Sequence, residues 1–126
     1  MKLLEEDEEY LTSKQYNWNF VSGTNEGFLI IKDYPLDPNK YQSTQSNIMI
    51  RIPQGYNFAA LDCFYADPPI KLKETDEYPP AANQFPTFDN KTWQQFSRHF
   101  TNTPWRPGVD TIQTLLTLIS KELQNR

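Results

Sequence analysis

The sequence predicts an α+β fold, because short stretches of strand period lie between Tyr16 and Ala66, a helical stripe runs from Val109 to Leu123, and the start favours helix. Its 126 residues make one domain, 1–126, and leave little room for a second. Hydrophobic residues make up 37% and aromatic residues 14%, enough bulky apolar surface to exclude a disordered chain.

Leu3 to Lys14 reads as the first helix. Its residues are good helix formers, and Leu4 and Leu11 share one face with Leu3 and Tyr10 beside them. The acidic run from Glu5 to Glu9 is expected to be its solvated face. Tyr16, Trp18 and Phe20 alternate with Asn17 and Asn19, the pattern of a half-buried strand over Tyr16–Val21. Turn residues fill Ser22–Gly27, and Phe28–Lys32 forms a second strand, so the pair reads as a hairpin. Tyr34-Pro35-Leu36-Asp37-Pro38 breaks the pattern. Ile48, Ile50 and Ile52 mark a third strand that stops at Pro53. Ala60–Ala66 makes a fourth, ending at Asp67-Pro68-Pro69, to give a four-stranded antiparallel meander.

Residues 67–90 lack periodicity and carry Pro68, Pro69, Pro79, Pro80 and Pro86, which predicts a long, stiff loop. Val109, Ile112, Leu116, Ile119 and Leu123 then recur at helical steps, with Leu115 adjoining. Asp110 is placed to cap this last helix and Gln113 to complete a capping box.

Charge and cysteine content narrow the function. The net charge is −4, so a nucleic-acid surface is not expected. A single cysteine, Cys63, excludes an internal disulfide and a multi-cysteine zinc site. The acidic start is unlike a signal peptide, and no apolar stretch is long enough to cross a bilayer. A cytoplasmic protein, with no membrane partner, is the expectation.

Two signatures, together with the element order, resemble the ubiquitin-conjugating enzyme superfamily. Ile52-Pro53-Gln54-Gly55-Tyr56-Asn57-Phe58 is similar to its hydrophobic-Pro-x-x-Tyr-Pro-Phe stretch, with Asn57 for the second proline and Ala60-Leu61 for the prolines that follow. Trp105-Arg106-Pro107, just before the last helix, is similar to its Trp-Ser-Pro. The superfamily's reactive cysteine lies eight residues ahead of that tryptophan, and here the position is Ser97. Trp93, Ser97, Arg98 and His99, with Trp105 through Asp110, more closely resemble a bacterial branch. Its members carry Trp-x-x-x-Ser-Arg-His and Trp-Arg-Pro-Gly-Val-Asp, and are encoded beside ubiquitin-like proteins, activating enzymes and peptidases.

The resemblance implies a ubiquitin-conjugating-like fold and an acyltransferase. Ser97 would take the C-terminal carboxyl of a ubiquitin-like protein as an oxyester and pass it to a target. The implied partners are the ubiquitin-like protein, its activating enzyme and a peptidase encoded nearby. A serine hydroxyl is hardly ionised near neutral pH and needs a base. His99, the one histidine, is the candidate, with local packing as its structural alternative. Arg98 is a candidate for oxyanion charge, or else a surface residue. The superfamily's His-Pro-Asn reads Thr87-Phe88-Asp89 here, so Asp89 and Asn90 are the nearest stand-ins for its asparagine. Asp110 has helix capping as its main role and orienting His99 as a lesser one. Trp93 and Trp105 are core or site-wall residues, and Cys63 reads as a buried structural cysteine within the fourth strand. No metal and no cofactor is implied. The rival reading is an inactive scaffold that binds the ubiquitin-like protein or its activating enzyme without covalent chemistry.

Overall fold

The computed structural model describes residues 2–99 and 104–125. The order is α1 (Glu5–Ser13), β1 (Asn17–Ser22), β2 (Glu26–Pro35), β3 (Gln45–Pro53), β4 (Phe64–Asp67), β5 (Thr87–Phe88), β6 (Lys91–Thr92), β7 (Gln94–Phe96) and α2 (Ile112–Leu123). Five strands form one antiparallel sheet in the order β1-β2-β3-β4-β7, and β5 and β6 form a separate hairpin. The expected four-strand meander therefore gains a fifth strand, β7, which pairs with β4 through Phe64–Phe96, Tyr65–Gln95 and Ala66–Gln94.

Strand alternation divides the apolar residues between two faces. Leu29, Ile31, Ile48, Ile50, Ile52, Phe64 and Phe96 join Leu11, Ile112, Leu116, Ile119 and Leu123 in the main core, so both helices cover one face. On the outer face, Met49, Tyr65 and Trp93 form a smaller cluster with Phe28, Ile30, Cys63 and Phe88. Phe64 stacks on Phe96 across the last strand pair at 4.6 Å.

The fourth strand starts later than the sequence suggests, at Phe64 rather than Ala60. The preceding segment is tied to both helices: the Tyr56 hydroxyl donates to Asp7 at 2.8 Å and accepts from the Ile112 backbone N–H at 2.7 Å. Asp7 is accordingly buried, and the acidic run is not a wholly solvated face. The cap of α2 is corrected too. Thr111 is the N-cap and Thr114 its reciprocal partner, so neither Asp110 nor Gln113 makes the capping box.

The 67–90 segment is mostly loop, but it does structural work along the sheet edge. The N–H groups of Trp93, Gln95 and Ser97 donate to the carbonyls of Pro86, Gln84 and Ala81 at 2.9, 2.8 and 2.9 Å. The loop thus satisfies the free edge of β7. No helix among the described residues is long and apolar enough to cross a membrane.

Burial pushes the Asp7 carboxyl up to about 6, against the lowering effect of the Tyr56 hydrogen bond. Folding therefore favours its protonated form, and that contribution is complete below about pH 4 and lost as pH rises through about 6. Asp7→Asn keeps an acceptor for Tyr56 and has no charge to desolvate. It is expected to exceed the parent in stability at neutral pH by on the order of 2 kcal/mol, and to lose the slope between about pH 4 and pH 6. Urea denaturation across that range checks this.

Candidate functional site

Ser97 directly follows β7, half-buried, where the edge strand leaves the sheet. Odd-numbered residues of this strand face outward, and Gln95 and Ser97 lie on that side. Gln95 Nε2 donates to Ser97 Oγ at 3.2 Å and lies 3.9 Å from Cys63 Sγ. The Phe64–Phe96 register, continued one residue, sets Cys63 opposite Ser97 on the same face. Cys63 is thus half-buried and lies ahead of β4, beside exposed Asp62, which corrects the expectation of a buried cysteine inside the strand.

His99 is exposed, and its Nδ1 meets Asp62 Oδ1 at 2.7 Å. The ligand atoms of Asp62, Cys63 and His99 all lie within 4.8 Å of one another. The carboxylate that holds the imidazole is therefore Asp62, not Asp110. Asp110 is buried at the start of α2, where it accepts from the Arg106 backbone N–H at 2.7 Å, from its guanidinium at 2.8 Å and from Thr114 Oγ1 at 3.2 Å. The Arg106 contacts hold its carboxyl below the usual carboxylate range.

Arg98 has the opposite parity and turns inward. Its guanidinium makes two hydrogen bonds of 2.7 Å to Glu122 of α2 and others to the carbonyls of Pro80 and Ser97. The Glu122 carboxylate raises its pKa above the ordinary range and keeps it charged. This arrangement commits Arg98 to α2 and corrects its expected place beside an oxyanion at Ser97.

Asp89 and Asn90 are also displaced from the expected site. Both have positive φ, 50° and 63°, and form the two-residue turn between β5 and β6, a conformation that Asp and Asn tolerate. Phe88 packs on Tyr65 and Phe28 and draws the hairpin across the outer face. Asp89 consequently lines a small hollow on the outer face with Val21, Phe28, Ile30, Met49 and Trp93.

Trp93 is buried beside Met49 and Tyr65, with the Lys91 ammonium 4.7 Å from its ring centre. Trp105 is half-buried against the main core, and its Nε1 donates to the Asn57 carbonyl at 2.9 Å. Both indoles therefore have packing roles.

Asp62, Gln95 and buried Gln94 were not singled out from the sequence. Gln95 was open to discovery, because a strand residue two before Ser97 shares its face. Asp62 required the β4–β7 register. Gln94 carries the loop: its Oε1 accepts from the Ile70 N–H at 2.6 Å, and its Nε2 donates to the carbonyls of Ile70 and Ala82 at 3.0 and 2.9 Å.

An α+β domain with this element order has the architecture of a ubiquitin-conjugating-like protein. Residues 3–126 match the family model of Prokaryotic E2 family E, and the chain belongs to that family. Membership carries an E2-like role in ubiquitin-like protein conjugation, whose general partners are a ubiquitin-like protein and an activating enzyme. No curated protein and no solved structure is similar enough to the chain to count as a match.

Gln94→Leu is expected to lower stability by about 2–4 kcal/mol, because it strands the buried Ile70 N–H and two loop carbonyls. Chemical denaturation measures that loss, and hydrogen exchange should show protection falling first at Gln95 and Ser97, whose N–H groups the loop receives.

Proposed function

We propose that this chain is a conjugating-type acyl carrier in a bacterial ubiquitin-like protein pathway, with Ser97 as the acceptor. Ser97 Oγ attacks the C-terminal carbonyl held as a thioester on the activating enzyme. An ester C–O bond forms, the C–S bond breaks, and the thiolate leaves. The hydroxyl proton passes to His99, whose Nδ1 partner Asp62 leaves Nε2 for that purpose. A target amine then displaces Ser97. Gln95 is the side-chain donor at the acceptor oxygen, suited to stabilise negative charge there.

The observation that carries this reading is the Gln95 amide 3.2 Å from Ser97 Oγ, on the outward face where β7 ends, in a chain of the E2 family. A second reading, a non-catalytic scaffold for the ubiquitin-like protein or activating enzyme, is favoured by the commitment of Arg98 to Glu122. Among the described residues, Gln95 is the hydrogen-bond donor to Ser97 Oγ.

Incubation with the activating enzyme, nucleotide and ubiquitin-like protein should give an intact-mass increase equal to that protein less one water. The adduct should resist thiol reductants, yield to hydroxylamine, and be absent in Ser97→Ala. An adduct that persists in Ser97→Ala and disappears in Cys63→Ala would overturn the assignment. A complex with no mass increase would establish the scaffold instead.

A further inference from the structure

The sole cysteine and the sole histidine of this chain lie 36 positions apart, yet the fold brings them to one spot with a carboxylate between them. The β4–β7 pairing does this. Asp62 and Cys63 lead into β4, and His99 follows β7 by three residues, so the antiparallel register returns both ends to the same corner. We propose that Asp62, Cys63 and His99 form a three-ligand site for a divalent zinc-class cation, with a fourth position left for water or a substrate oxygen.

The donor set selects the metal. One thiolate sulfur, one imidazole nitrogen and one carboxylate oxygen suit zinc, whereas magnesium and calcium take oxygen ligands. Three protein ligands with an open position form a pattern that zinc adopts where it is not purely structural. Geometry permits closure. The three donor atoms already fall within 4.8 Å. In a tetrahedral zinc site, donors stand about 3.3–3.8 Å apart. The required adjustment, in which the Asp62–His99 pair opens from 2.7 Å and both donors close on the sulfur, falls on Asp62 and His99, whose side chains are 63% and 58% exposed, while Cys63 is anchored beside the sheet. Binding would exchange the His99–Asp62 hydrogen bond for two metal bonds and would release the thiol proton to solvent. It would also occupy His99, so zinc would compete with any base role of that imidazole.

Titration of the purified, chelator-stripped chain with cobalt(II), followed by zinc(II) displacement, tests the site. One equivalent of cobalt should bind, with a thiolate-to-cobalt band in the near ultraviolet and tetrahedral visible bands, both removed by zinc. Cys63→Ser should abolish the thiolate band. His99→Gln and Asp62→Asn should each weaken binding by about 10-fold or more, since even outer-sphere partners of a metal ligand cost that much. Circular dichroism confirms folding of each variant, and the two exposed positions give a test that does not depend on replacing the cysteine. Ser97→Ala should bind cobalt like the parent, which separates this site from the acyl-carrier reading. Absence of the thiolate band in the parent, or a band whose affinity is unmoved by His99→Gln and Asp62→Asn, overturns the proposal.

Discussion

The Gln94 carboxamide holds the functional end of this molecule together. Fully buried at the start of β7, it gives and receives three hydrogen bonds with the backbone of Ile70 and Ala82. A loop of this length would otherwise carry unpaired polar groups over an apolar sheet. Through the clamp, the loop is pinned at two points and its carbonyls are presented to the odd-numbered N–H groups of β7. The edge strand is thereby fixed on both sides, by β4 and by the loop. Ser97, the residue just past it, inherits a defined position that no long-range ionic contact of its own supplies.

At the other end of the core, a corner of polar contacts sets the start of α2. Tyr56 joins Asp7 to Ile112, the Asn57 amide donates to the Asp110 carbonyl, and Trp105 donates to the Asn57 carbonyl. Asp110 in turn folds the Arg106–Asp110 turn against the helix. The two signatures by which the chain resembles the conjugating enzymes, around Tyr56 and around Trp105, are thus the two sides of one contact. Their coexistence in the sequence has a structural reason. Each satisfies polar groups of the other.

Much of the fold was legible because periodicity reports burial directly. The Ile48, Ile50 and Ile52 alternation and the Ile112 to Leu123 stripe both point to the core that forms. The site was less legible. Ser97, Arg98 and His99 are consecutive, but strand alternation sends Arg98 inward to Glu122 and leaves Ser97 outward, a division that depended on recognising β7 as a strand. With only three residues and two glutamines, β7 has no apolar period to reveal it. Asp89 and Asn90 match the superfamily's asparagine position by count, yet their positive φ values identify them as turn formers, and the aromatic contacts of Phe88 carry them across the sheet. The sequence pattern places Cys63 inside the fourth strand, whereas β4 begins at Phe64 and leaves that residue half-buried beside Asp62.

The backbone pairing that fixes Ser97 also constrains what chemistry can occur there. In acyl transfer, backbone N–H groups commonly receive the negative oxygen. The N–H of Ser97 is already given to the Ala81 carbonyl, and that of Gln95 to Gln84. These two N–H groups are thus not available to the proposed acceptor, whereas Gln95 Nε2 stands within hydrogen-bond distance of the Ser97 oxygen. The same amide approaches Cys63 Sγ across the strand pair, so the hydroxyl and the thiol share one donor and one face. The proposed acceptor and the cysteine cluster are thus neighbours by position, because the β4–β7 register that sets Cys63 opposite Ser97 also brings Asp62 and His99 to that corner.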